Sequence, residues 1–184
     1  MTDVPFHHRL TGWRIAGWSM AAALLALPAI AMQFSDEVDW TTGDFVVAGG
    51  LLLLTGLAAE GGLRLARSWS HLAGFAIATF TALFTVWSNL AVGIIGDEGE
   101  PVNLGFFLLL AAALVAAAAF RFRARAMALI AGTLAAGQVV LGFVAMATMP
   151  GHAVEWGVLA MFALMWLAAA IAFNHHATAS GVLA

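Results

Sequence analysis

The chain has 184 residues, of which 63% are hydrophobic and only 9% are charged, with a formal net charge of −3. A soluble domain carries about 25% charged residues, so this composition indicates a membrane protein whose first partner is the lipid bilayer. There is no cysteine and no lysine, which excludes disulfides, thiolate metal sites and Schiff-base chemistry. The negative net charge argues against nucleic acid as a partner.

Six apolar runs are each long enough to cross the hydrocarbon core, which takes about 20 residues in a helix. They predict membrane helices at residues 13–32, 44–63, 72–96, 102–120, 126–149 and 154–173, the third and fifth being the longest. Because the connections are short, sequence neighbours are expected to be antiparallel. The sequence therefore predicts an all-α transmembrane bundle of three hairpins that forms a single integral-membrane domain over residues 1–184.

Charged residues orient this bundle. The seven basic residues all fall on one side of it: Arg9, Arg14, Arg64, Arg67, Arg121, Arg123 and Arg125. The positive-inside rule places that side, and with it both termini, in the cytoplasm. Most of the acids fall on the other side, and on the inner side Glu60 lies four residues before Arg64, the order that favours a helical ion pair.

The first span has a second interpretation. Basic residues, an apolar run, Pro28 and the Ala-Ile-Ala sequence at 29–31 are also typical of a signal peptide with its cleavage site. Since the apolar run is long for a signal peptide, we expect the span to be retained. Cleavage would leave five spans in the same orientation.

Acidic residues fill the turns opposite the arginines, and part of this acidity is explained by helix capping. Thr41 and Asp44 form a T-x-x-D capping box, and Glu100 precedes Pro101 at a first helical position. Eight like charges on one small face nevertheless repel one another unless cations neutralise them. The same turns can therefore be a solvated rim or a cation site.

The cation hypothesis rests on the chemistry of the side chains. Carboxylate oxygens suit hard divalent cations, and His152 and Glu155 lie one helical turn apart, a spacing that suits two ligands of one metal. The predicted ligands are Asp36, Glu37, Asp39, Asp97, Glu98, Glu100, His152 and Glu155. No other cofactor is predicted, and a copper(I) site formed by Met146, Met149 and His152 is an alternative.

Two amides, Asn89 and Gln138, interrupt the apolar runs. An unsatisfied amide costs several kcal/mol in hydrocarbon, so both are expected to point into the bundle. They either form interhelical hydrogen bonds or line a polar cavity that opens at the acidic face. If the third helix ends at residue 96, Asn89 lies roughly 10 Å below its end.

Small residues recur at four-residue spacing and predict close helix packing within the chain. These residues are Gly74, Ala78, Ala82, Ala112, Ala116, Ala128, Gly132 and Ala136. A contact face for a second copy or another membrane protein is the alternative.

The sequence N-L-A-V-G-I-I-G at 89–96, followed by an acidic turn and P-x-N-L at 101–104, resembles a family of uncharacterised small polytopic bacterial inner-membrane proteins. The resemblance covers the first four spans. It implies a bacterial inner membrane and a polytopic helical fold, and it brings no activity, substrate or cofactor.

Three functional hypotheses follow from these patterns. The first is a non-enzymatic inner-membrane protein whose acidic periplasmic mouth binds cations, acting as a small conduit or as an ion-sensitive subunit. The second is an accessory or scaffold subunit of a larger membrane complex. The third is a membrane metalloenzyme that uses His152 and the acids, although no established metal motif is present.

Overall fold

The structure is a computed structural model that describes residues 11–149 and 154–181. In these residues the chain forms six α-helices: α1 (Thr11–Ala31), α2 (Thr42–Leu65), α3 (Trp69–Ala91), α4 (Leu104–Ala119), α5 (Ala124–Thr148) and α6 (Trp156–Gly181). A 3₁₀ helix, Pro101–Asn103, precedes α4 and starts at the predicted proline. All six helices are long and apolar enough to cross a membrane, so the prediction of an all-α fold with six such helices is confirmed.

The chain divides into two compact units, one containing α1 and α2 (Met1–Leu65) and the other containing α3 to α6 (Ala66–Ala184). Large apolar side chains are exposed on every helix, including Leu57 on α2 and Leu129 on α5. An apolar outer surface of this kind is suited to lipid acyl chains rather than to water.

The first unit is a helical hairpin with polar contacts near both of its ends. Glu60 binds two arginines: Arg64 Nη2 lies 2.9 Å from Glu60 Oε1, and Arg14 Nε donates to Glu60 Oε2 at 2.7 Å. The sequence predicted only the Arg64 contact, and Arg14 adds a link between α1 and α2. The backbone N–H of Thr41 donates to Asp44 Oδ2 at 2.7 Å and the Asp44 N–H donates to Thr41 Oγ1 at 3.3 Å, so the predicted capping box is confirmed.

The second unit is built around α6, which packs against both α3 and α5, while α4 packs against α5. Helices α3 and α6 are antiparallel. Phe84 contacts Phe162 at one level, and Phe75 contacts Phe173 at another, with ring centroids 5.2 Å apart in each pair.

Glycines allow the close approach of these helices. A Cβ added at Gly74 would lie 2.7 Å from the ring of Phe173, and one added at Gly142 would lie 2.6 Å from Leu159. On α5 the predicted line of small residues is only partly packed, because Ala128 contacts the core cluster whereas Gly132 has no neighbour within 4 Å of its Cβ position. The buried face of α5 instead carries Ala131, Leu134, Ala135, Gln138, Gly142 and Ala145. Small residues occupy more than one face of this helix, so their spacing alone did not identify the packed one.

Two helix ends also differ from the prediction. Helix α3 ends at Ala91 rather than at residue 96, because Gly93 (φ +76°) and Gly96 (φ +62°) adopt left-handed backbone conformations that end a helix. With 23 residues, α3 is shorter than α2 (24) and α6 (26), so the prediction that it is among the longest is wrong. Helix α6 continues to Gly181 instead of ending at residue 173.

Candidate functional site

The turn between α3 and α4 is organised by Asn103, a residue that the sequence interpretation did not single out. Asn103 is buried. Its Oδ1 accepts from the Ile95 N–H at 3.1 Å, and its Nδ2 donates to the carbonyls of Ile95 (3.0 Å) and Asp97 (2.8 Å). These three bonds replace the helical bonds that α3 loses after Ala91 and hold Ile95 in the core, where it is 1% exposed. The P-x-N-L motif was the available signal.

Most of the acids of this turn, of the α1–α2 turn and of the start of α6 are exposed. Asp36, Glu37, Asp39, Asp97, Glu98 and Glu155 are exposed, and Glu100 is half-buried. Within residues 11–149 and 154–181, no group of three or more histidine and carboxylate side chains is placed to hold a metal ion. His152 lies outside the described residues, and the two acidic turns belong to different units. The cation site with all eight ligands therefore stays a prediction.

The methionines of the alternative copper site have different surroundings. Met146 is 57% exposed, whereas Met149 packs against the apolar cluster that includes Ile94, Ile95 and Phe162. Met146 is therefore exposed on α5, whereas Met149, the residue after the helix, is packed against the core.

Both intramembrane amides are buried, with Asn89 2% exposed and Gln138 1% exposed. The Asn89 Nδ2 donates to the Thr85 carbonyl of its own helix at 2.8 Å. The Thr85 hydroxyl donates in turn to the Thr81 carbonyl at 2.8 Å. Asn89 Oδ1 and Gln138 Oε1 have no hydrogen-bond partner. The interhelical bond considered for Asn89 is therefore not formed, and Asn89 lies in the last turn of α3 rather than roughly 10 Å below its end.

A third buried polar group without a partner lies on α6. The Trp166 side chain is 4% exposed, and its indole Nε1 has no hydrogen-bond partner. The sequence interpretation used tryptophans only as markers of the membrane interface, because nothing in the sequence distinguishes a buried indole from an interfacial one.

The contacts of α6 give the relative depths of these three groups. Phe84 on α3 faces Phe162 on α6. Because the two helices are antiparallel, Asn89, which lies five residues after Phe84, is close to the level of residues 157–158 of α6. Gly142 lies against Leu159, which places Gln138 about one and a half turns deeper than Asn89. Trp166 is nearly two turns deeper than Leu159 on α6. The three groups therefore span a little over two helical turns, or roughly 12–13 Å, of the second unit.

Six long apolar helices, an apolar outer surface and buried polar groups within the spans define a multi-pass integral membrane protein. Comparison of the chain with protein-family models, with curated proteins and with solved structures finds no match. Its function must be inferred from its own residues.

Proposed function

We propose that this protein is a non-enzymatic, multi-pass protein of the bacterial inner membrane that acts as a small conduit for water-solvated cations. In this proposal the acidic α3–α4 turn and Glu155 form a periplasmic mouth, and Asn89 and Gln138 line the polar interior. The observation that carries the proposal is the pair of buried amide oxygens without a hydrogen-bond partner inside the membrane-spanning unit.

The energetic argument concerns these oxygens. A buried acceptor without a donor costs about 1–3 kcal/mol, and hydrocarbon supplies no donor. A water molecule donates two hydrogen bonds and accepts others, so water can satisfy Asn89 Oδ1 and Gln138 Oε1 and can accept from Trp166 Nε1. An interior that holds water over about two turns gives a solvated ion a polar route through part of the unit.

Charge segregation supports the direction of this route. In the second unit the arginines are Arg67, Arg121, Arg123 and Arg125, and the acids are Asp97, Glu98, Glu100 and Glu155. By the positive-inside rule, the arginine end lies in the cytoplasm together with both termini. Exposed carboxylates at the other end raise the local concentration of cations. Divalent cations bound by these four carboxylates are part of the proposal.

Cation flux into proteoliposomes tests the proposal. We expect Asn89→Leu and Gln138→Leu each to reduce flux at least about tenfold, because removing a polar lining group restores an apolar barrier. Thr133→Val is the matched control, since Thr133 is exposed on α5 and its hydroxyl bonds only to the Leu129 carbonyl. Wild-type flux no greater than that of empty liposomes would refute the conduit.

One observation favours an accessory subunit as the second candidate. The Gly132 position on α5 is open, and the neighbouring Ala136 is exposed. A small-residue surface of this kind lets a helix of another membrane protein approach closely. Gly132→Leu should then abolish association in a membrane crosslinking assay while leaving flux unchanged, whereas a conduit that functions as a monomer predicts no association to abolish.

A further inference from the structure

A pair of histidines joins α3 to α6 at the arginine-bearing end of the second unit. The rings of His71 and His176 are stacked, with centroids 4.4 Å apart and an interplanar angle of 15°. His71 is 4% exposed. The ring of Phe173 packs edge-on against His71 at 5.8 Å, and that of Phe75 lies 4.9 Å away.

Ser68 holds this pair at the start of α3. Its Oγ accepts from the His71 N–H at 3.2 Å as the helix N-cap. The same oxygen lies 2.8 Å from His176 Nδ1 and 3.1 Å from the Ser70 hydroxyl. One serine hydroxyl therefore connects the first turn of α3 to the last turns of α6.

The two ring nitrogens of His71 have no hydrogen-bond partner. The basic groups that act electrostatically on His71 are His176 and Arg67. The other titratable groups at this end of the unit are His175, Arg121, Arg123 and Arg125, and the described carboxylates of the unit all lie at the opposite end. Among the described residues of this unit, no carboxylate therefore lies here to compensate a doubly protonated pair.

We propose that His71 and His176 form a proton-binding site that keeps α3 packed on α6 while the pair carries at most one proton and releases this contact when both rings are protonated. Two positive charges at the observed ring separation repel strongly in a poorly solvated site. Histidine is the side chain whose ordinary protonation range, near pH 6.5, falls within physiological variation. The site is independent of the conduit, since neither ring belongs to the polar interior proposed above.

Thermal unfolding of the full chain in lipid nanodiscs tests this site. Between about pH 8 and about pH 5 we expect the wild-type Tm to fall by about 5 °C or more, because the unfolded chain takes up protons that the folded pair excludes. His71→Phe keeps an aromatic ring in the stack and removes both nitrogens. Its Tm should therefore fall by at most half as much as the Tm of the wild type between the same two pH values. His175→Asn changes an exposed neighbour of the pair and should respond like the wild type.

Hydrogen exchange over residues 68–75 supplies a second measurement. After correction for intrinsic rates, exchange of these amides should be at least about fivefold faster at the lower pH in the wild type and unchanged in His71→Phe. If His71→Phe does not fold, His176→Asn replaces it, since an amide can still bond to Ser68 and does not titrate. The proposal would be overturned if Tm and amide exchange depended equally on pH in the wild type and in the folded His71→Phe or His176→Asn variant. Loss of this pH dependence in His175→Asn would also overturn it.

Discussion

The two ends of the second unit, which contains α3 to α6, are held together by different kinds of contact. At the acidic end, Asn103 binds the backbone of Ile95 and Asp97 through three neutral hydrogen bonds. At the arginine end, His71 and His176 are held by ring stacking and one serine hydroxyl. An amide has no proton to gain or lose in the physiological range, whereas an imidazole does. The second unit thus has one end that is fixed by neutral hydrogen bonds and, in the proposal above, one end whose contacts depend on protonation.

The largest expected effect on the free energy of unfolding comes from removing the Asn103 amide at the acidic end. Asn103→Leu should destabilise the protein by about 3 kcal/mol or more, because the Ile95 N–H and C=O would be left buried without partners. Chemical unfolding in detergent measures the effect. Asn174→Leu is the matched control, since Asn174 is exposed on α6, and its effect should stay within about 0.5 kcal/mol. Equal effects of the two changes would contradict the role assigned to Asn103.

A smaller effect on the free energy of unfolding is expected from adding a methyl group between α3 and α6 at the arginine end. Gly74→Ala should destabilise by about 1–3 kcal/mol, because the added methyl group would meet the ring of Phe173. Gly132→Ala, at an open position of α5, should instead stabilise by up to about 1 kcal/mol through higher helix propensity. Unfolding of both variants at neutral pH checks this, and a Gly74→Ala protein as stable as the wild type would show that this end is loosely packed.

The smallest expected effect on stability comes from the exposed carboxylates of the acidic turns. If divalent cations bind the acidic turns, millimolar calcium or magnesium should raise stability by about 1 kcal/mol through mass action. The triple change Asp97→Asn, Glu98→Gln and Glu100→Gln should remove most of this gain. A Tm that does not respond to any divalent cation would mean that the acids form a solvated, helix-capping rim.

The helices could be predicted from sequence because their signals are local. Length and apolarity predicted six spans, and the T-x-x-D pattern predicted the capping of α2 by Thr41 and Asp44. The end of α3 could not be predicted in the same way. The apolar run continues through Ile94 and Ile95 because these residues are buried in the turn, so hydrophobicity did not reveal that the helix had ended.

The sequence predicted which polar residues of the candidate site are buried, but it did not predict their hydrogen-bond partners. The cost of an exposed amide in lipid predicted that Asn89 and Gln138 would be buried. Their missing partners depend on which face of α5 packs against α6, which the small-residue spacing did not give. Trp166 and the histidine pair depend on contacts between residues far apart in the chain, and a single sequence contains no signal for such contacts.

The proposed conduit requires that the interior of the second unit holds water. An experimental structure in lipid at a resolution that shows ordered water tests it most directly. We predict water density within about 3 Å of Asn89 Oδ1 and of Gln138 Oε1, with at least one of these waters hydrogen-bonded to Trp166 Nε1 or to a further water. A dry interior, in which the two amide oxygens bond directly to protein donors, would rule out the proposed conduit.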